Sequence, residues 1–520
     1  MNELELTNPK VIDEPIASNL SNWRGDMLVV FSGSILPLSF APYELWWFGI
    51  LACSSLALCL KKISARRALW RSFLFALGMY GTGVSWVYVS IHDFAYTPAW
   101  LASIMTAMFV AFMALVFCWP FYFYKRCVGG SYFGVLLGFP ATWVISEWVR
   151  SWFLTGFPWL YLGYGHTDSW LAGWSPVFGV YGLSFLAAFT ATSLLSIQRA
   201  SEKLSLGKRW HRKLSYITLS SVAAIWLGGL ALTSVNWTTP TKELSVSIVQ
   251  PNIPLEVKWN PLFRGEITDT LLELTEDHWQ SDIIVWPEAA IPMMYHEADF
   301  FIEELQKLAT ANNTALVSGI LYDDEQPNTY YNSIFGMGTA ENIYFKQRLV
   351  PFGEYVPLEK YLRGLIRFFD LPNSIIHRGP LLQEGIKTNE YSIAPYICYE
   401  IVYPDLVANM LGDAQLLVTI SNDAWFGESI GPLQHFQMAQ MRALETGRYV
   451  IRGTNTGLSG IISHKGEVTL AGTQFKAETI TGKVMLTEGK TPFARFGSWP
   501  MIIISFMIFL ALALKHRLLG

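Results

Sequence analysis

The sequence predicts a two-part protein: a multi-pass α-helical membrane domain with eight transmembrane helices, and a layered α/β domain outside the membrane. Of its 520 residues, 52% are hydrophobic and 15% are charged, whereas soluble domains average about 45–50% apolar and about 25% charged residues. Long apolar runs fill the first half of the chain, and short alternating strand and helix patterns fill residues 243–490. The net charge of −4 argues against a nucleic-acid partner, because nucleic-acid-binding surfaces are usually basic.

The amino-terminal half of the chain contains seven apolar segments, and an eighth lies near the end of the chain. Residues 1–26 are polar and no recognisable cleavage site accompanies the first apolar run, so we expect an uncleaved anchor. Several apolar segments reach the roughly 20 residues that a hydrocarbon core of about 30 Å requires, and the first two are shorter. The segments are approximately 27–42, 43–60, 69–90, 98–124, 131–149, 171–197, 214–235 and Ser498–Leu514. The predicted domains are an N-terminal segment at 1–26, a domain of seven transmembrane helices at 27–235, the α/β domain at 236–490, and an eighth transmembrane helix with a tail at 491–520.

Positive charge follows every even-numbered apolar segment. Lys and Arg are sparse in the loops of the opposite side, such as residues 91–98 and 155–169. Because basic loops stay in the cytoplasm, this asymmetry predicts that both termini are cytoplasmic and that the α/β domain lies outside, in the periplasm of a bacterium. The basic residues are Lys61, Lys62, Arg66, Arg67, Arg71, Lys125, Arg126, Arg199, Lys203, Lys208, Arg209, Arg212, Lys213, Lys515 and Arg517.

Aromatic residues crowd the outer ends of the predicted helices, a pattern that is typical of an interfacial belt. Glu147 and Arg150 lie one helical turn apart in the fifth segment, where ionisable groups are costly unless they are paired or functional. We expect a structural ion pair, and binding of a lipid headgroup is the alternative. The aromatic residues are Trp143, Trp148, Trp152, Phe157, Trp159, Tyr161 and Tyr164.

In the α/β domain, strands and helices alternate. Each strand is strongly apolar, which favours a sandwich whose sheets are covered by helices. The predicted strands are Leu244–Gln250, Asp282–Trp286, Ala315–Tyr322, Tyr331–Gly338, Ile343–Lys346, Ser392–Cys398 and Leu416–Ser421. The predicted helices are Glu266–Trp279, Phe300–Asn312, Tyr403–Leu411 and His435–Tyr449.

Three candidate reactive residues fall at or just after the ends of these strands, where α/β sheets carry their sites. They are Glu288, Lys346 and Cys398. The other four cysteines lie in or beside apolar runs, where a thiol commonly packs as a hydrophobic group. No CxxC or HExxH pattern is present and the histidines are scattered, so we expect no metal site.

The three residue types fit one kind of chemistry. A cysteine of ordinary pKa is only a few per cent thiolate at neutral pH, so a nucleophilic thiol needs a base or a nearby cation. Glu288 can take the proton, and Lys346 can favour the thiolate and then donate to the oxyanion of a tetrahedral intermediate. No histidine falls within these motifs, which favours a Glu–Lys–Cys arrangement over a Cys–His pair.

The motifs around these residues resemble those of the carbon–nitrogen hydrolase (nitrilase) superfamily, which implies an αββα sandwich. With seven apolar segments before this domain and one after it, the whole chain is similar to the bacterial apolipoprotein N-acyltransferase family. The matching motifs are Trp286-Pro-Glu288, Tyr344-Phe-Lys346, Leu349-Val-Pro-Phe-Gly-Glu354, Cys398-Tyr-Glu400 and Ser421-Asn-Asp-Ala-Trp-Phe-Gly427.

The resemblance also implies roles for individual residues. Glu288 would be the general base, Lys346 the oxyanion stabiliser and Cys398 the nucleophile. Further positions match residues that support the site or contact the substrate: Trp259, Glu354, Tyr399 and Glu400. Trp425, in the loop of residues 422–427, would wall the site, and packing is an equally good explanation for it. The first 20 or so residues match the family least well and have no assigned role.

The implied reaction is the last step of lipoprotein maturation in the inner membrane, without a cofactor. An acyl chain passes from a phospholipid, typically the sn-1 position of phosphatidylethanolamine, to Cys398 as a thioester. It then passes to the α-amino group of the diacylglyceryl-cysteine that begins an apolipoprotein, which predicts ping-pong kinetics. The alternatives are a membrane-tethered amidase or nitrilase that uses water as the second nucleophile, and a transporter or receptor with a binding domain.

A further stretch has the pattern of an amphipathic surface helix. Between Leu358 and Leu371, apolar residues recur at mostly helical spacing with basic residues between them. Two explanations remain open for it: an arm that dips into the membrane beside the site, or ordinary packing on the domain.

Overall fold

The computed structural model describes residues 20, 22–204, 209–323, 329–355 and 376–519. Its amino-terminal part is a bundle of helices that follow the predicted apolar segments. These are α1 (Trp23–Ile35), α2 (Trp47–Cys59), α3 (Ala65–Gly83), α4 (Trp86–Val89), α5 (Ala99–Phe123), α6 (Phe139–Trp152), α7 (Ser175–Leu204) and α8 (Arg209–Leu232). Short π-helical stretches extend α4 to Phe94 and α5 to Val128, and another precedes α6 from Gly134 to Gly138.

Four helices of the described chain are long and apolar enough to cross a membrane: Ala99–Val128, Trp170–Leu195, Lys213–Leu232 and Trp499–Leu518. The pair Ala65–Gly83 and Trp86–Phe94, bent by 56°, makes a fifth if it counts as one span. Helices α1 and α2 have 13 residues each, about 20 Å of helix, which is less than a hydrocarbon core of about 30 Å. Each predicted apolar segment therefore contains helix, and the count of eight spans stays a prediction.

The second part of the chain is built from two β-sheets with helices on their outer faces. The strands are β1 (Thr239–Gln250), β2 (Ile283–Val285), β3 (Ala315–Asp323), β4 (Tyr330–Gly338), β5 (Ala340–Glu341), β6 (Ile343–Phe345), β7 (Ile386–Thr388), β8 (Ser392–Ile397), β9 (Leu416–Ser421), β10 (Val450–Thr454), β11 (Gly460–Ile462), β12 (Val468–Ala471) and β13 (Glu478–Glu488). The helices are α9 (Leu255–Lys258), α10 (Arg264–Glu276), α11 (Asp299–Ala311), α12 (Pro404–Met410), α13 (Gly431–Thr446), α14 (Pro492–Phe496) and the apolar α15 (Trp499–Leu519).

The sheet topology determines which strand ends meet. One sheet has the order β13-β1-β2-β3-β4-β6, and the other has the order β12-β11-β10-β9-β8-β7-β5. Strands β2 and β3 are parallel, β4 is antiparallel to β3, and β6 is antiparallel to β4, so β6 runs in the direction of β3. Strands β8, β9 and β10 are parallel in the second sheet. The carboxyl ends of β2, β3 and β6 therefore share one edge, and those of β8 and β9 share another.

The two sheets face each other across a core of aliphatic side chains, among them Val246, Val285, Val317, Ile397 and Ile420. Helices α10 and α11 pack on the outer face of the first sheet. Helix α13 packs on the outer face of the second sheet, in a hydrophobic cluster that continues into the helical bundle. The predicted layered α/β sandwich is therefore confirmed. Its physical reason is that apolar strands buried on both faces require a helix layer on each side.

Helix α13 is buried along almost its whole length between the second sheet and the bundle. Its polar side chains bond to the bundle: Gln434 Oε1 accepts from Trp159 Nε1 at 2.7 Å, and Glu445 Oε1 accepts from Val180 N at 2.7 Å. Beside this contact Gly179 has φ +64°, and a Cβ there would lie 2.4 Å from the Phe493 ring. The sandwich and the bundle thus meet in a close-packed domain interface around α13 and the loop of residues 153–169.

This interface corrects the expectation for the aromatic residues. The prediction of an interfacial belt is wrong for Trp143, Trp159, Tyr161 and Tyr164, whose side chains are fully buried. Tyr164 lies against the sandwich, and its hydroxyl donates to Val402 O at 3.2 Å. Trp143 packs among bundle rings such as Phe117, and the sandwich covers Trp159 and Tyr164, so these rings lie in a protein interior.

The expected pairing of Glu147 with Arg150 also differs from the observed contacts. Glu147 Oε1 accepts hydrogen bonds from Trp143 Nε1 and Leu162 N, each at 2.8 Å. Arg150 donates to Trp159 O at 3.1 Å and to the Tyr80 hydroxyl. In this described part of α6, the two side chains bond to different partners instead of forming the predicted ion pair.

The predicted amphipathic helix of residues 358–371 lies outside the described residues, as does the polar stretch before residue 20.

Candidate active site

The strand ends bring the predicted reactive residues together. Cys398 directly follows β8, Lys346 directly follows β6, and Glu288 lies three positions after β2. Since β2 and β6 end at the same edge of one sheet and β8 belongs to the facing sheet, the three residues meet where both sheets open. The sequence-predicted trio therefore occupies one site.

Lys346 lies between two carboxylates. Its Nζ is 2.8 Å from Glu354 Oε1 and 3.3 Å from Glu288 Oε1, and its side chain is 1% exposed. Asn332 on β4 spans the same two oxygens, because its Nδ2 donates to Glu288 Oε1 at 2.7 Å and to Glu354 Oε1 at 3.0 Å. Burial alone would lower the pKa of Lys346, but the carboxylates of Glu354 and Glu288 raise it above its ordinary value. Lys346 is therefore a permanent cation at neutral pH.

Main-chain contacts fix both carboxylates. Asn422 N donates to Glu288 Oε2 at 2.8 Å, and Val350 N donates to Glu354 Oε2 at 2.8 Å. A second buried lysine, Lys258, donates from Nζ to Glu288 O at 3.0 Å. Burial lowers the pKa of Lys258 to about 8. Each carboxylate thus keeps a defined orientation toward Lys346.

Cys398 has an unusual backbone conformation and a weakly acidic thiol. Its φ is +52°, in the left-handed region that residues with a Cβ rarely adopt, and such outliers cluster at functional sites. Burial and the negative charge of Glu288 raise the pKa of the thiol, and the positive charge of Lys346 opposes them without cancelling them. Lys346 lowers the pKa of the thiol, as expected, but the pKa stays above its ordinary value. In the resting site the thiol carries its proton, so a base must remove it.

Glu400 is an acceptor for the segments around the site. Its Oε1 accepts from Tyr344 OH at 2.9 Å, Gln347 N at 2.6 Å and Arg348 N at 3.1 Å. Its Oε2 accepts from Ile397 N at 2.9 Å. Burial raises its pKa to about 7. By these four bonds Glu400 ties the segment after Lys346 to the turn that carries Cys398.

The residue after the cysteine belongs to the domain interface. Tyr399 OH donates to Gly156 O at 3.0 Å, and Tyr403 OH donates to Thr155 O at 3.1 Å, both in the loop after α6. The turn of Cys398 is thus bonded to the helical bundle on one side and to the sandwich on the other.

Two predicted tryptophans line the surroundings of the site and not its centre. Trp425 is about half-exposed and touches the bundle, with its carbonyl oxygen accepting from Ser90 Oγ at 2.7 Å and its ring 6.0 Å from that of Phe94. Trp259 is exposed to a similar degree and follows Lys258, which bonds the Glu288 main chain. The role of both side chains as walls of the site stays a prediction.

Sequence reasoning missed five residues of this region: Lys258, Asn332, Asp423, His435 and Arg452. Asp423 lies inside the motif of residues 421–427, and Lys258 stands beside Trp259, so both positions had a signal in the sequence. Asn332, His435 and Arg452 stand alone on buried elements, with no spacing that distinguishes them from core polar residues. Among the described residues, no group of three or more His, Cys, Asp and Glu side chains is arranged to hold a metal ion.

Comparisons with known proteins agree with both parts of the chain. Residues 32–193 match the apolipoprotein N-acyltransferase N-terminal domain, and residues 245–490 match the carbon–nitrogen hydrolase domain. A solved carbon–nitrogen hydrolase from Helicobacter pylori G27 is similar to 47% of this chain and 90% of its own, at 17% identity and a TM-score of 0.36.

Similarity to full-length proteins extends over nearly the whole chain. A protein of Pseudomonas syringae pv. tomato named apolipoprotein N-acyltransferase is 39% identical over 94% of this chain and 96% of its own. A protein of Pseudomonas paraeruginosa with the same name is 40% identical over 95% of this chain and 97% of its own. This chain therefore belongs to the apolipoprotein N-acyltransferase family and carries a carbon–nitrogen hydrolase domain.

Proposed function

We propose that this enzyme transfers an acyl chain from a phospholipid to the amino terminus of apolipoproteins through a thioester on Cys398. One observation carries the proposal: the strand ends bring Cys398, Lys346 and Glu288 to one site, and Tyr399, the neighbour of the cysteine, is bonded to the helical bundle. We infer that an ester held in the membrane beside the bundle reaches the nucleophile at this boundary. Relatives with the corresponding name at about 40% identity support the same activity.

The first half-reaction loads the cysteine. Glu288 takes the thiol proton as Cys398 Sγ attacks the carbonyl carbon of the donor ester, preferably at the sn-1 position of phosphatidylethanolamine. Lys346 Nζ donates to the oxyanion of the tetrahedral intermediate. The carbon–oxygen bond then breaks, and Glu288 returns the proton to the departing alkoxide. The products are a thioester and a lysophospholipid.

The second half-reaction uses the α-amino group of a diacylglyceryl-cysteine. The neutral amine attacks the thioester carbonyl, Glu288 accepts its proton, and the carbon–sulfur bond breaks. The thiolate of Cys398 is protonated again as the amide forms. One base and one cation thus serve both steps. Formation of the thioester splits a difficult transfer into two easier ones.

The remaining polar residues of the site support these three. Glu354 holds Lys346 from the side opposite Glu288, and Glu400 holds the backbone on either side of the site. Tyr399 anchors the nucleophile turn to the bundle. Trp259 and Trp425 line the opening through which the lipids enter.

The proposed arrangement in the cell follows the charge of the loops. Eight helical segments cross the inner membrane, both termini are cytoplasmic, and residues 236–490 form the periplasmic catalytic domain between a seven-helix domain at 27–235 and the last helix at 491–520. The basic loops between even- and odd-numbered segments support this orientation. Spans shorter than the hydrocarbon core are accommodated where the bilayer is thinner or the sandwich covers the helix end.

The deciding experiment incubates the purified full-length protein with acyl-labelled phosphatidylethanolamine and measures a hydroxylamine-labile adduct by intact-protein mass spectrometry. We expect one acyl group on the wild type, none on Cys398→Ala, and loss of the adduct when a diacylglyceryl peptide is added. No adduct on the wild type, or an adduct that survives in Cys398→Ala, would refute the mechanism. Release of free fatty acid without peptide acylation would instead indicate a membrane-tethered hydrolase.

A further inference from the structure

A second buried polar cluster lies behind the nucleophile, outside the Glu288–Lys346–Cys398 trio. It consists of Asp423, His435 and Arg452, whose side chains are at most 1% exposed. Arg452 Nη2 bonds Asp423 Oδ2 at 2.6 Å and lies 3.0 Å from His435 Nδ1. His435 Nε2 lies 3.1 Å from the main-chain oxygen of Cys398. The cluster therefore reaches the nucleophile through its backbone.

The Cys398 carbonyl determines where His435 carries a hydrogen. A carbonyl oxygen only accepts, so Nε2 must carry the hydrogen that it donates to Cys398 O. Nδ1 lies 3.0 Å from Arg452 Nη2, a donor, and 3.2 Å from Asp423 Oδ1, and in a neutral ring it accepts from the guanidinium of Arg452. Burial and the Arg452 charge lower the pKa of His435, in agreement with a neutral ring. Asp423 holds Arg452 in place and is itself held by Ser421 Oγ at 2.6 Å.

Two aromatic rings also pack against the imidazole. Its ring centre lies 5.8 Å from that of Trp159, which belongs to the bundle, and 6.2 Å from that of Phe426. The preceding residue, Gln434, accepts a hydrogen bond from the same Trp159. His435 therefore has little freedom to move, and the donor that it presents to Cys398 O is fixed relative to both domains.

Cys398 needs such a donor because its backbone conformation is unfavourable. With φ at +52°, the turn positions the thiol only if its surroundings hold it there. His435 donates its hydrogen bond to the carbonyl oxygen of this same residue. This contact differs from the imidazole–thiol pair of a Cys–His mechanism, in which the ring takes the proton from sulfur.

We propose that His435 is a positioning residue for the acyl transfer: its Nε2–H fixes the Cys398 carbonyl and so keeps the thiol aimed at Glu288 and the donor ester, with Arg452 and Asp423 setting the tautomer. The inference rests on the proposed function, in which Cys398 is the nucleophile. It predicts that the donor on the carbonyl matters for the rate of thioester formation and not for binding of the lipid.

Two substitutions of His435 separate this role from simple packing. The amide nitrogen of glutamine reaches the place of Nε2, so His435→Gln keeps a donor for the Cys398 carbonyl. The amide of asparagine reaches only the place of Nδ1, so His435→Asn loses that donor. We expect His435→Asn to slow single-turnover formation of the acyl adduct by roughly 10- to 100-fold at an unchanged KM for phosphatidylethanolamine, and His435→Gln to stay within a few-fold of wild type.

The outcomes also separate this inference from the proposed function. An adduct on the wild type that forms equally fast in His435→Asn would overturn the positioning role and leave the thioester mechanism intact. Equal losses in both variants would overturn it too, since packing would then explain the effect. No adduct on the wild type would remove the proposed function itself.

A measurement on the unmodified protein covers the case in which His435→Asn does not fold. Nitrogen NMR of the full-length protein, labelled at histidine and assigned by the signal missing from His435→Gln, reports the tautomer directly. We expect a neutral ring protonated at Nε2 at neutral pH. A ring protonated at Nδ1, or at both nitrogens, would contradict the assignment.

Discussion

Replacing Lys346 by methionine would leave Glu288 and Glu354 facing each other without the cation that lies between them. Methionine has a similar length and fills the same buried space, so the perturbation removes charge and little volume. The two carboxylate oxygens both bond Asn332 Nδ2, so they are no further apart than the sum of 2.7 and 3.0 Å. At an effective dielectric constant of about 20, their repulsion at that distance is about 3 kcal/mol.

The carboxylate pair can relieve that repulsion by sharing one proton, because two like charges so close together are unfavourable. A protonated Glu288 cannot accept the thiol proton, and the oxyanion loses its donor at the same time. Loss of a preorganised oxyanion donor alone costs about 10²–10³ in rate. We therefore expect Lys346→Met to slow acyl-adduct formation by at least about 10³-fold.

The assay is single-turnover adduct formation by mass spectrometry, with alkylation of Cys398 by iodoacetamide across pH as a second readout. Lys387→Met is the matched control, because Lys387 forms an exposed pair with Glu384 at 2.6 Å in the same domain, and such surface pairs contribute about 0–1 kcal/mol. Adduct formation at the wild-type rate in Lys346→Met would refute the assigned role of this cation.

Three further predictions follow from the same geometry. Glu288→Gln removes the charge that raises the pKa of the Cys398 thiol, so alkylation of Cys398 should begin at lower pH than in wild type while acyl transfer is lost; an unshifted alkylation profile would contradict the electrostatic argument. Glu400→Gln leaves at least one of four donors facing an amide N–H, and should destabilise the folded protein by about 2–4 kcal/mol in denaturant unfolding. Gly319→Ala places a Cβ 2.6 Å from Ala289 N and 2.7 Å from Pro287 O, which must shift Glu288 and slow adduct formation, whereas Gly265→Ala meets nothing within 4 Å and should leave the rate unchanged.

The fold was predictable where burial leaves a pattern in the sequence. Strands such as β9, buried along all of Leu416–Ser421, are continuous apolar runs, and the predicted strands and helices agree with the structure to within a few residues. The strands from Val450 onward, and the short strands β5 and β7, are not among the predicted ones. They are short or carry polar residues, as in Val450–Thr454, whose Arg452 is buried only because Asp423 pairs with it.

The buried aromatic residues show the opposite case. Trp159 and Tyr164 are residue types that are enriched in interfacial belts. Hydropathy alone does not show whether such a side chain faces lipid headgroups or another domain. Only the docking of α13 onto the loop of residues 153–169 buries them.

For the candidate site, the sequence by itself singled out Glu288, Lys346 and Cys398, because each follows a predicted strand in a recognisable motif. The tertiary structure decided what surrounds them: Asn332 between the two carboxylates, and His435 on the Cys398 carbonyl. Those contacts join residues far apart in the chain, 37 positions for the second pair. Strand order and helix docking bring such residues together, and the pattern of side chains along the sequence predicts neither the strand order nor the docking.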